Sequence, residues 1–292
     1  MKSIIKPLLL ALSLPLLLYS CQPETKTENI ENKTEITEKT ISLNDFAESF
    51  GGVWIPKAYL NAITKHKSAY LSHQDIPYIS ELKIHKNNLN KDTLSVLSGI
   101  NNHEGYDFKV WKTKQSDKPE YANSLLEWED DYEFIFSYNT ADTSISIIVK
   151  NKNDSLVERT DYVRILNQEY AYNSNESAYD YLSRKFVLNG KYQILDATKK
   201  DLGIAEFEDN TGEISGFKYT YYTLAADFIG GPVYPSDYII LRPALNIYSD
   251  QQFLSMIHQN DTIFLYETID IVTDTSYNVA LGKINFYLID KN

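Results

Sequence analysis

Apolar and polar residues alternate one for one along several short stretches of this chain, and that alternation limits the architectures open to it. Tyr132, Phe134, Phe136 and Tyr138 are interleaved with Glu133, Ile135 and Ser137; Ile145, Ile147 and Val149 follow the same rule. Tyr106, Phe108 and Val110 also alternate with Asp107, Lys109 and Trp111. A period of two puts one set of side chains on one face of a strand, so each stretch reads as a strand with a single buried face. Between them lie turn-forming runs, Asn101 to Gly105, Asn139 to Asp142 and Asn151 to Asp154. Strands joined by tight polar turns pair with their neighbours in an antiparallel meander. The chain holds 23 tyrosines and only two methionines, a balance that favours half-buried strands. The expected class is therefore mainly β: two antiparallel β-rich domains with a few short helices, each domain either a barrel or an open meander.

Three segments carry helical spacing instead. Ser42 to Gly51 has Ser42 or Asn44 as a cap and Gly51 as a stop. Ile55 to Ser68 and Ser174 to Phe186 space their apolar residues at helical intervals. The first and last of these precede Gly52-Val53-Trp54 and Gly190-Lys191-Tyr192, which open two strand-rich stretches 138 residues apart. The spacing points to a two-fold repeat, with one β-rich domain over residues 42–167 and a second over 168–292.

The amino terminus has a different character. Lys2 and Lys6 flank a basic start, and from Leu8 to Leu18 the chain is almost wholly apolar, a signal-peptide pattern over residues 1–20. The run falls short of the ~20 residues of a spanning helix. It ends in Leu18-Tyr19-Ser20-Cys21, which resembles the lipobox of bacterial lipoproteins. That resemblance implies diacylglyceryl transfer to the Cys21 thiol, cleavage before it, and acylation of the new amino terminus with a fatty acid such as palmitate. Cys21 is the only cysteine, so no internal disulfide and no thiolate metal site is available to compete for it. The following segment, residues 21–41, carries only two isoleucines between Gln22 and Thr40 among Glu, Thr, Asn and Lys, too little apolar surface to offset the entropy of ordering. It reads as a disordered tether. The acidic residues after Cys21 are loosely similar to surface-export signals of Bacteroidetes lipoproteins. The expected location is the bacterial cell envelope, anchored by lipid at the outer membrane.

Gly-x-Trp at the head of a meander resembles the lipocalin and wider calycin pattern, whose fold is a closed barrel around a small apolar cavity. In that family an Arg or Lys from a late strand packs over the Trp at the barrel floor. The resemblance implies Trp54 with Arg164 in the first half and Tyr192 with Lys283 in the second. The residues themselves leave open the alternative of two small sheets with helices across an open end.

The net charge of −12 argues against a nucleic-acid partner, since phosphates are neutralised by clustered Lys and Arg. The five histidines are scattered, and His103-Glu104 lacks a second His at zinc-site spacing, so neither a metal nor a cofactor is expected. The acidic residues Glu127, Glu129, Asp130, Asp131 and Glu133 read as a solvated strand edge. A loop between two tyrosine-rich strands places Phe228, Ile229, Val233 and Tyr234 beside Gly230, Gly231, Pro232 and Pro235. Such a loop caps a barrel mouth, meets a partner or folds back on the core. The leading function is non-catalytic binding of a small apolar or glycan ligand or of an envelope protein. The alternatives are a structural subunit of an outer-membrane assembly, and a glycan hydrolase with paired carboxylates.

Overall fold

A computed structural model describes residues 41–100, 102, 104–112, 120–124, 132–169, 177–228, 234–273 and 276–291. The segments expected to be a signal peptide and a tether (residues 1–40, Cys21 among them), Ile229, Val233, His103 and the acidic run from Glu127 to Asp131 lie outside these residues. Among the described residues the chain is mainly β, with two antiparallel sheets, one a curled half-barrel, and four short α-helices.

The first sheet is built from β1 (Gly52–Pro56), β2 (Ile79–Ile84), β3 (Leu89–Asn90), β4 (Thr93–Ile100), β5 (Glu104–Lys112), β6 (Glu120–Ser124), β7 (Tyr132–Asn139), β8 (Ser144–Asn151) and β9 (Leu156–Leu166). The strands with the clearest alternation, β5, β7 and β8, lie where the sequence puts them. Its order is β2-β1-β9-β8-β7-β6-β5-β4-β3, and β2 also pairs with β4. The pairings thus return from β9 through β1 and β2 to β4, which curls the sheet into a barrel-like wall. Inside it, Trp54, Leu82, Val96, Phe136 and Ile147 join one buried cluster with Phe46 and Phe50. Those two phenylalanines come from α1 (Leu43–Ser49) and the residue that caps its end; Ser42 starts the helix by accepting from the Asp45 amide at 3.1 Å.

The second sheet is built from β10 (Gly190–Asp196), β11 (Asp201–Phe207), β12 (Ile214–Ser215), β13 (Tyr221–Leu224), β14 (Asp237–Arg242), β15 (Gln252–Gln259), β16 (Thr262–Val272) and β17 (Tyr277–Asp290). Its order is β12-β11-β10-β17-β16-β15-β14-β13, and a bridge between Glu213 and Tyr221 links its two ends. In both sheets the last strand returns beside the first, β9 on β1 and β17 on β10. Each opening glycine has positive φ, +138° at Gly52 and +128° at Gly190. At Gly52 a Cβ would meet the Leu166 carbonyl at 2.4 Å, so β9 can approach only because no side chain stands there.

The helical segment expected at 55–68 is α2 (Lys57–His66), which ends at left-handed Lys67; a further short helix, α3 (Ala69–Ser72), follows beyond the expected segment. The segment expected at 174–186 is α4 (Ala178–Val187), capped by Ser177. The division at Asn167 falls between the two sheets, and the core crosses it. Val53, Ile55, Tyr59 and Ile63 from the first half share one buried cluster with Tyr179, Leu182 and the inward residues of the second sheet. Residues 38–292 form one compact unit.

Two buried carboxylates pin this joint reciprocally. Glu81 of β2 accepts from the Ala178 amide at the start of α4 at 2.6 Å, and Asp237 of β14 accepts from the Tyr70 amide in α3 at 2.9 Å. Burial pushes both carboxyl groups above their ordinary range, against opposing pulls from Lys83 on Glu81 and from Ser68 and backbone amides on Asp237.

Candidate functional site

The inward residues of β7, β8 and β9 stack in layers set by the pairing register. Tyr138, Ile145 and Tyr162 form one layer; Phe136, Ile147 and Thr160 the next; Phe134, Val149 and Glu158 the outermost. The first layer meets α1, where the Tyr138 ring lies 5.2 Å from Phe46 and 5.4 Å from Phe50. At the other end, away from the helix, a cavity of about 180 Å³ opens to solvent. Its wall includes Tyr78, Phe134, Ile147 and Val149, with Glu158 and Thr160 as polar groups.

Tyr162 marks the bottom of this cavity. Its hydroxyl donates to the Ile79 carbonyl at 2.6 Å, so the group is satisfied inside the wall. Burial, with a smaller contribution from the Glu158 charge, pushes it well above the ordinary phenol value, and it stays a neutral donor. Thr160 donates to Glu158 at 2.7 Å. The neighbouring residues point the other way: Arg159 bonds Asp161 and Ser146, and Lys150 pairs with Asp154. The arrangement is a largely apolar recess whose described lining carries one carboxylate, Glu158, near its lip.

At the opposite end, Trp54 is fully buried and its indole nitrogen donates to the Phe50 carbonyl at 2.8 Å. Arg164 is its cross-strand partner on β9, with the guanidinium carbon 5.6 Å from the ring centre. The same guanidinium donates to the Ser49 and Gly51 carbonyls, which tie down the end of α1. In the second half Tyr192 is buried, but the residue that faces it on β17 is Asp290, not Lys283. Lys283 lies seven residues back along β17, 77% exposed, with its nitrogen 3.9 Å from Glu267. Burial and then Asp290 push the Tyr192 hydroxyl up to about 12. The sequence contains no signal for this difference: an offset counted from the start of each half does not fix the register at its end.

Of the loop residues named from the sequence, the described pair is half-buried, with Phe228 packed against the buried cluster. Phe228 lies edge-on to Tyr70 at 5.5 Å, and Tyr234 lies 6.1 Å from Phe228 and 4.9 Å from Tyr238. Among the described residues no group of three His, Cys, Asp or Glu is placed to hold a metal ion, and no helix is long and apolar enough to cross a membrane. The Glu158 recess was missed in the sequence, where Glu158 is one of many exposed-looking acids; only its period-two alignment with Tyr162 hinted at an inward aim. Comparisons with protein-family models, with curated proteins and with solved structures return no match.

Proposed function

We propose that this protein is anchored by lipid at Cys21 to the bacterial outer membrane and holds a small apolar ligand, without transforming it, in the mouth of its first barrel-like half. The cavity lined by Phe134, Ile147 and Val149 carries the reading. Apolar recesses with few polar groups are where proteins bind small molecules. The Arg164 guanidinium over Trp54 is what the calycin resemblance leads one to expect, and it supports a calycin-like use of the fold. At about 180 Å³ the cavity is near the size that accepts a single benzene ring and smaller than most drug-sized sites.

Titration with fluorobenzene, followed by fluorine NMR, tests the reading. Saturable binding that disappears in Val149→Phe, whose added ring fills the recess, is the expected result. Binding that survives in the filled variant places the ligand elsewhere. The anchor is tested separately: Cys21→Ser should lose fatty-acid labelling and move to the soluble fraction, and retained label overturns it.

One observation favours the structural-subunit reading. The ends of β16 and β17 run past their outer neighbours and expose Ile269, Ile271, Val272 and Tyr277. A two-stranded extension with apolar side chains in water is a suitable surface for an envelope protein. Crosslinking from Val272 in whole cells distinguishes the readings, since a subunit gives one discrete adduct and a ligand carrier gives none.

A further inference from the structure

The recess at the mouth of the first half has an asymmetric chemistry that narrows what it holds, and this inference rests on the ligand-binding reading above. Its walls are largely hydrocarbon and aromatic, from Ile147 in the middle layer and from Phe134 and Val149 level with the lip. The charged group among the lining residues is Glu158, placed in the outermost layer by its register with Val149. Among the described residues Thr160 donates to Glu158, and no Lys or Arg pairs with it. The basic groups close in sequence are committed on the outer face, Arg159 to Asp161 and Ser146, Lys150 to Asp154. The Tyr162 hydroxyl beneath it already donates its hydrogen bond to the Ile79 carbonyl and offers Glu158 no donor.

A carboxylate beside an apolar recess attracts a cation and repels an anion, and a charged hydrogen bond is stronger than a neutral one. We infer that the ligand is a small organic amine: an apolar end the size of one ring or a short alkyl group in the recess, and a protonated nitrogen donating to Glu158. A volume of about 180 Å³ matches one ring or a short alkyl group and would take only the end of a long acyl chain. A membrane phospholipid also fits poorly, since its amine carries no apolar group on the side that would have to enter. No proton is transferred and no bond is made; the carboxylate only positions the ammonium group.

Three probes of one shape separate charge from shape: para-fluorobenzylamine, para-fluorobenzyl alcohol and para-fluorobenzoate, each titrated into the full chain at neutral pH and followed by fluorine NMR. The amine should bind about tenfold more tightly than the alcohol, the size of one charge-assisted hydrogen bond at a partly exposed site, and the benzoate most weakly. In Glu158→Gln the amine should fall to the level of the alcohol while the alcohol is unchanged, which also shows that the variant is folded. Equal binding of all three probes overturns the amine inference and leaves the cavity reading standing. An amine preference that persists in Glu158→Gln overturns the role of Glu158. If none of the probes binds, the cavity reading fails and this inference with it.

Discussion

The two halves of the molecule share a plan and differ in what fills it. Each begins with a helix, then a glycine at positive φ, then an inward aromatic residue, and each ends on a strand that returns beside the first. In the first half Trp54 faces Arg164 and the far mouth holds a recess. In the second half Tyr192 faces Asp290, and Phe217 and Tyr219, from the turn between β12 and β13, stack edge-on against Phe286 at 5.4 and 6.4 Å. Lys218 covers the same rings, 4.9 Å from Tyr219 and 5.3 Å from Phe286. Pairing and glycine placement therefore set a shared topology, while different rings pack against the opening aromatic strands of the two halves. A repeat of fold is not a repeat of site.

The largest expected effect breaks the first half at its floor. Trp54→Ala removes a fully buried ring and its hydrogen bond, and should cost about 3–5 kcal/mol in urea unfolding. Tyr192→Phe should cost under about 1 kcal/mol, because the Tyr192 hydroxyl makes only a 3.4 Å contact with the Asn189 carbonyl. Equal losses would mean that the two floors are equivalent after all.

Next comes the joint. Glu81→Ala leaves the Ala178 amide without its acceptor and should cost about 1–3 kcal/mol. The sign of its pH dependence follows from the raised carboxyl. The folded state holds the proton more tightly than the unfolded one, so this group's contribution is most favourable below the ordinary carboxylate range. It declines as pH rises through the raised folded value and is level above it. Unfolding midpoints across that window should fall for the native chain and fall less for Glu81→Gln. A midpoint that rises over the same window contradicts the assignment.

Arg164→Ala should cost about 1 kcal/mol, from the lost stacking over Trp54 and the bonds to Ser49 and Gly51, at a side chain that reaches solvent. Fraying of α1, read by amide exchange at Phe50, should accompany it. Smallest of all, Lys283→Ala should change stability by less than about 0.5 kcal/mol. A larger loss would restore a role for Lys283 in the second half that its position on β17 does not provide.

Strand content, the faces of β7 and β8, the capped helix at Ser42 and the glycine-aromatic opening of each half were all legible in the sequence. These depend on local rules: side-chain period, caps and turn residues act over a few positions and leave a readable pattern. Which residue meets Tyr192 was not legible, because register at the end of a half depends on every turn and bulge before it; β16 and β17 alone shift register twice. Nor was the joint, where Glu81 and Asp237 find helix amides 97 and 167 positions away. The recess was hidden for the same reason. Whether Phe134, Val149 and Glu158 enclose a space depends on how far the sheet curls and on what fails to fill it, and packing across a curved sheet is decided only when all of its strands are in place.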